Sequence, residues 1–396
     1  MVAERFISRK LRFKGNVAAV AIAVSFFIII VAVAVSSGFR HEIRDGVAAV
    51  TGDIRIAPSM QTGGEPVPMP ARLPREELLR AIPGVAALEP SVIRAGIVKN
   101  GDLIHGVILK GVPSFSGPQG PASQVTSFPG QAREALPVSI PHRLHEITGL
   151  GPGDKLTTYF IGEKVKVRQF NIVAMHRDIL EADDNLIVYA DIKDLQRLNG
   201  WGEDEVSCID LRLTESHRGK AAQQEIAELA GFILQDESLV VSASTRTYSQ
   251  VFDWLNLLDF NVAVILILMT IVAGFNMVSG LLIMVLRSIP AIGTLKTMGM
   301  DDAAIGRVFI RSGAVAAFKG LLWGNALALL FCLVQGSTHL IPLDPANYFV
   351  SFVPVHVSFP AVLIADAAAY AGILLLLWLP ARLIARVDPS KTVKAD

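Results

Sequence analysis

Four groups of residues have types and spacings that could do chemistry. The segment PHRLHEITG brings His142, His145 and Glu146 together, the composition of a zinc site. Its order is neither HExxH nor HxxEH, the patterns that set two imidazoles and a carboxylate on one helical face, so the histidines are expected to be surface residues. GLGPGDKLT, Gly149 to Thr157, has the glycines of a phosphate-cradling loop. It lacks the Lys-Ser/Thr ending that reaches phosphate and metal, and reads as a turn before a strand. No G-x-S-x-G elbow presents a serine nucleophile. The chain is therefore expected to have no catalytic residues, no metal and no cofactor of its own.

The fourth group is RSIPAIGTLKTMGMDD, Arg287 to Asp302, and its chemistry is that of a contact. Ile289, Ile292, Leu295 and Met298 recur at three-residue steps as one apolar stripe, while Lys296, Asp301 and Asp302 are polar. Pro290 suits the first turn of a helix, where its missing N–H is harmless, and Gly299 suits the end. The pattern predicts a short amphipathic helix that lays its stripe in a partner's groove or rests on lipid.

The elements that position this segment are membrane spans. Of 396 residues 52% are hydrophobic and 18% charged, with 36 Lys+Arg against 36 Asp+Glu, so no basic field exists to attract nucleic acid. Cys208 falls in the polar middle and Cys332 in an apolar segment, which makes a disulfide between them implausible. Four apolar stretches, 16–38, 252–286, 308–335 and 359–379, each exceed the roughly 20 residues that cross a bilayer. The first is longer than the h-region of a cleaved signal peptide and is expected to be retained. Basic residues cluster before the first span, at Arg287, Lys296 and Arg307, and after the fourth, whereas 336–358 has no Lys or Arg. The positive-inside rule then places the termini (1–15 and 380–396) and 287–307 in the cytoplasm, and 39–251 outside. The second span is long enough to rise as a stalk, with Asp253, Asn256, Asp259 and Asn261 in its first turns and Trp254 near the interface. Asn276, Lys319, Asn325 and Asp366 fall within spans. Such residues are costly there and often functional, and interhelical hydrogen bonding is expected of the asparagines in preference to a proton relay.

The external region alternates strand and helix signals. TGDIRIAP reads as a strand after a helix ending near Val50, and SVIRAGIVKNGDLIHGVILKG as a hairpin turning at Asn100-Gly101, a pair that favours the left-handed dihedrals of a tight turn. A second hairpin is expected to turn near Gly162, further strands at SCIDLRLTE and SLVVSAS, and a helix at RGKAAQQEIAELAGFI. The fold class is thus a membrane protein of four transmembrane helices, with a large α+β extracytoplasmic domain in two lobes between the first and second. Gln61 to Pro74 and Pro113 to Gly130 read as exposed loops.

This layout resembles the FtsX-like permease subunits of ABC transporters, in particular the lipoprotein-releasing (Lol) permeases and more distantly the macrolide-exporter type. The residues that carry the resemblance are Arg287, Ile292, Leu295, Lys296, Met298 and Gly299; Pro380, Ala381, Ala385, Asp388 and Pro389 near the C-terminus; and the run RHEIRDGVAAVTGDIRI. The family's acidic residue before the isoleucine is missing, with Pro290 and Ala291 in its place. The resemblance implies that an ABC ATPase in a separate chain binds the ATP and Mg, that a second copy or a paralogue completes a dimer, and that the coupling helix passes the ATPase's movement outward. It implies a lipoprotein substrate whose acyl chains meet Phe26, Phe27 and Ile30 of the first span and Ile267, Met269 and Phe275 of the second. It also implies delivery to a periplasmic lipoprotein chaperone, although the short turn FIGEK stands where the chaperone-recruiting permease has a long hook. The other functions consistent with the layout are macrolide or peptide efflux, whose permeases usually carry a fused ATPase domain where 15 residues precede the first span here, and an FtsX-like transducer that controls cell-wall hydrolases. All these readings place the chain in the bacterial inner membrane. On this scheme Leu295→Asp and Gly299→Pro would uncouple ATP hydrolysis from transport.

Overall fold

Nothing between Asn16 and Thr51 interrupts a helix, and the computed structural model carries one, α1, over the whole of Asn16–Thr51. It stops at Gly52, whose backbone sits at φ +66 and whose N–H donates to the Ala48 carbonyl at 2.8 Å. The structure describes residues 16–59, 66–101, 103–113, 115, 136–162, 165–176, 186–344, 348 and 350–384, without the side chains of 16–18 and 379–384. The basic N-terminal residues, the start of the loop expected from Gln61, most of that from Pro113, the tip of the FIGEK turn and the motif from Pro380 to Pro389 lie wholly or partly outside them. The described remainder of Gln61–Pro74 is not an exposed loop, because Met69 and Leu73 are buried in the core and Met69–Pro70 pairs as a strand. The chain divides into two compact units, one of 1–41, 254–342 and 352–396 and the other of 42–253 with 343–351.

The inserted unit follows α1 with β1 (Ile54–Pro58), β2 (Met69–Pro70), α2 (Glu76–Arg80), β3 (Val85–Asn100), β4 (Leu103–Val112), β5 (Leu136–Pro141), α3 (His142–Thr148), β6 (Lys155–Phe160), β7 (Lys166–His176) and β8 (Leu186–Asp191). Then come α4 (Ile192–Asn199), β9 (Glu205–Val206), β10 (Cys208–Leu213), α5 (Lys220–Leu234), β11 (Leu239–Ala243) and α6 (Ser244–Thr247). The hairpin at Asn100-Gly101 forms with Asn100 opposite Leu103 and Gly101 at φ +60. The second pairs Phe160 with Lys166.

β3 organises the sheet. Its first half, to Ser91, pairs with β10 in the order β11-β1-β10-β3. From Val92 it pairs with β4, and the order β3-β4-β8-β5-β7-β6 returns to β3 through Ile97↔Tyr159 and Val98↔Thr158, closing a ring that leaves no free edge there. Inward-facing Val98, Val107, Leu109, Leu156, Phe160, Phe170 and Val188 belong to the unit's core. α5 lays Gln223, Ile226, Ala230 and Leu234, one helical face, inward. β5 and β8 were not expected, because the ring needs the parallel pairs β4–β8 and β5–β7, whose partners are remote in sequence.

The other unit contains the apolar helices α7 (Ser249–Arg287), the short α8 (Ile289–Thr297), α9 (Asp302–Thr338) and α10 (Phe359–Ile384). Among the described residues, four helices, α1, α7, α9 and α10, are long and apolar enough to cross a membrane. α9 starts at Asp302, so the expected cytoplasmic segment 287–307 divides between α8 and the first turns of the next helix.

Candidate functional site: the helix between the second and third spans

Pro290 makes α8 a separate helix. It has no N–H to continue the ladder from α7, and it occupies the first turn after the N-cap Ser288. Ser288 closes the preceding helix by donating its N–H to Met284 and Val285 carbonyls at 3.1 and 3.0 Å. The other end is a Schellman closure: Met300 N–H donates to Leu295 O at 3.0 Å and Gly299 N–H to Lys296 O at 3.0 Å. Gly299 lies at φ +86, a conformation that disfavours a side chain. Lys296 Nζ and Asp302 Oδ1, 2.7 Å apart, fix α8 to the start of α9.

The expected apolar stripe is not free. Ile292 is 1% exposed and belongs to the same buried cluster as Val285, Ile305 and Phe309, and Leu295 and Met300 lie against that cluster. Apolar side chains are satisfied equally by a partner's groove and by the chain's own helices, and here the latter take them. Ile289 is half-buried, Arg287 and Gly299 are exposed, and Met298 is 83% exposed. The open face of α8 is consequently Pro290, Ala291, Thr294, Thr297 and Met298. Leu295 is a packing residue, so Leu295→Asp would disturb the fold before it tested coupling.

The residues expected to meet acyl chains separate into two sets. Phe26 and Ile30 are 0% exposed and belong to the core of this unit, while Phe27 meets Phe331 edge-on with centroids 6.0 Å apart. The first-span set is thus occupied by the chain's own helices. The cause lies in α9, where Gly320 and Gly324 let α1 approach: a Cβ at Gly320 would lie 2.5 Å from Ile22 Cγ2, and one at Gly324 2.6 Å from the Ala23 carbonyl oxygen and from Phe26 Cβ. Small residues four apart are the usual device for close helix contact in a membrane, and this pair is a signal the sequence reading missed. In the second span Ile267 and Phe275 are 58% and 64% exposed, and Met269 is half-buried. Asp259 accepts from Ser36 Oγ at 2.8 Å and pairs with Arg40, joining α7 to α1.

The inserted unit uses its buried polar groups differently. Asp210, 2% exposed on β10, binds Lys110 Nζ at 2.8 Å and Arg55 Nε at 2.7 Å. Burial alone would raise its carboxyl, and the two cations more than offset that and hold it below the ordinary range. The same cations cap α1: Lys110 Nζ donates to the Ala49 and Val50 carbonyls at 3.0 and 2.9 Å, and Arg55 Nη2 to Val50 O at 2.7 Å. His176 hydrogen-bonds through Nδ1 to Ser139 Oγ at 2.9 Å, and burial pushes its pKa down to about 4. His142 is exposed and His145 Nδ1 shares a hydrogen bond with Leu150 O at 2.8 Å. In the glycine-rich segment Asp154 accepts from Gly151 N–H at 2.9 Å, closing a turn before β6.

Two family models match the chain. Residues 16–229 match the MacB-like periplasmic core domain, and residues 263–389 the FtsX-like permease C-terminal family. The lipoprotein-releasing system transmembrane protein LolC of Neisseria meningitidis serogroup B is 25% identical, across 96% of this chain and 92% of that one. LolE of Haemophilus influenzae is 23% identical, across 95% and 93%. Among solved structures, the periplasmic region of MacB from Actinobacillus actinomycetemcomitans is similar at a TM-score of 0.31 and 14% identity, covering 52% of this chain and 95% of that one. The chain belongs to the FtsX-like permeases with a MacB-like periplasmic core domain, the non-catalytic transmembrane subunits of ABC transporters.

Proposed function

We propose that this chain is the permease of a lipoprotein-releasing ABC transporter, drawing lipoproteins out of the inner membrane for transfer to the outer membrane. The observation that carries the reading is full-length similarity to both LolC and LolE, membrane spans and inserted domain together. Positive charge at Arg287, Lys296 and Arg307, against none in 336–358, supports cytoplasmic termini and a cytoplasmic α8. A separate ATPase binds ATP and Mg, and a second permease copy or a paralogue completes the transporter. Ile292 and Leu295 anchor α8 to its own spans, while Ala291, Thr294 and Met298, with Arg287 beside them, meet the ATPase. Acyl chains approach exposed Ile267 and Phe275 of α7. A periplasmic lipoprotein chaperone takes the cargo.

Reconstitution with the cognate ATPase and a lipidated protein in proteoliposomes tests this. ATP-dependent release to the aqueous phase is expected. ATP hydrolysis without release, or release of a macrolide in its place, would overturn it. Met298→Asp, on the open face of α8, is expected to lower release roughly tenfold with the chain still folded, equivalent to about 1.4 kcal/mol of contact.

A further inference from the structure

Asp366 of α10 is 8% exposed, flanked by buried Ala365 and Ala369. Among the described residues it has no cation within ion-pair distance. The other ionisable side chains described on the two helices, Cys332 of α9 apart, are placed elsewhere. Tyr370 donates its hydroxyl to Ala314 O at 3.2 Å, Lys319 is exposed, and Lys296 holds Asp302. Arg307 and Arg311 lie at the start of α9, within four turns of Asp302. The partner of Asp366 is Asn325 of α9, whose Nδ2 donates to Asp366 Oδ2 at 2.5 Å.

That bond leaves a donor deficit. Asp366 Oδ1 and Asn325 Oδ1 are both buried and have no hydrogen-bond partner. Both are acceptors if Asp366 is ionised, and two orphaned acceptors beside an uncompensated charge inside a membrane span are costly. A single proton would supply the missing donor, because a protonated carboxyl can donate to an amide oxygen while still accepting from the amide N–H.

We propose that Asp366 holds a proton at neutral pH and forms a neutral acid–amide pair with Asn325, a proton-binding site that clasps the third and fourth spans. The carboxyl gains one O–H bond to that proton and nothing else changes covalently. The site is a clasp and not a relay, because no second acid adjoins it among the described residues.

Infrared difference spectroscopy of the full chain in lipid nanodiscs at pH 7 tests this. Wild type minus Asp366→Asn is expected to show the carbonyl stretch of a protonated carboxylic acid, shifting on deuterium exchange. In Asn325→Leu the band is expected to persist and move to the higher frequency of an acid without an acceptor. Either variant suffices if the other fails to fold. A carboxylate stretch in that difference, with no protonated band sensitive to either substitution, overturns the proposal.

Discussion

Two buried aspartates, one in each unit of this permease, are stabilised in opposite ways. Asp210 keeps its charge, because Lys110 and Arg55 reach it at 2.8 and 2.7 Å. Among the described residues Asp366 has only the Asn325 amide. The inserted unit folds in water, where long basic side chains can be recruited from remote strands and then desolvated together. They also cap the carbonyls ending α1, so one cluster holds both the sheet and the helix terminus. The membrane unit relies on close approach instead, through Gly320 and Gly324 against α1, and on hydrogen bonding without a countercharge. Charge in one unit therefore does what small residues and neutral polar pairs do in the other.

The largest effect should come from breaking the charged cluster. Lys110→Met removes one of the two cations on Asp210 and a donor to the Ala49 and Val50 carbonyls, leaving Arg55 as the remaining cation for both, and an incompletely compensated buried charge costs up to about 3–5 kcal/mol. A fall of the unfolding transition of the full chain in detergent, with protease cleavage spreading into β4 and β10, is the expected result. An unchanged transition would mean that the cluster is incidental.

His176 sharpens the comparison, since it is a buried group of the inserted unit kept neutral by burial. Its folded pKa of about 4 lies below the ordinary 6.5, so the unfolded chain takes up the proton first as pH falls. Its contribution is complete above about pH 6.5 and is lost between there and about pH 4, on the order of 3 kcal/mol. His176→Phe should flatten the pH dependence of stability across that window. A variant that loses stability as steeply as wild type would exclude His176 as its source.

In the membrane unit, Gly324→Ala puts a methyl 2.6 Å from Ala23 O and Phe26 Cβ. The first and third spans must then move apart, at about 1–3 kcal/mol. A lowered thermal midpoint in detergent is expected for Gly324→Ala, while Gly336→Ala, whose nearest neighbour is Val355 Cγ2 at 3.4 Å, should behave as wild type.

What was legible in the sequence was what neighbouring residues decide. The spans, the Asn100-Gly101 turn, the helical face of α5 and the proline and glycine that bound α8 are all set within a few residues of chain. The destination of an apolar face was not legible, because lipid, a partner and the chain's own helices reward Ile292 alike. The ring closure through β3 and β6 and the parallel pairs with β5 and β8 were hidden for a related reason: their partners are chosen by topology. Asp210 left a sign that went unread. It stands between Ile209 and Leu211 in a strand buried on both faces, as Lys110 stands beside Leu109 in another, and a charge in such a strand needs an opposite charge somewhere.

The smallest effect should come where neither strategy operates. Gly299 is exposed, and a Cβ there would meet nothing within 4 Å, so its requirement is conformational alone at φ +86. Gly299→Ala should cost about 1 kcal/mol through left-handed strain, and Gly299→Asn less, since asparagine tolerates that region. Neither removes a contact from the unit's core, so the midpoint of unfolding should move little. The Schellman bonds from Gly299 and Met300 orient the end of α8, however, and Met298 lies immediately before them. On the proposed function, lipoprotein release per ATP hydrolysed should then fall in the order glycine, asparagine, alanine. If alanine and asparagine depress it equally, the left-handed turn is not what positions the open face of α8.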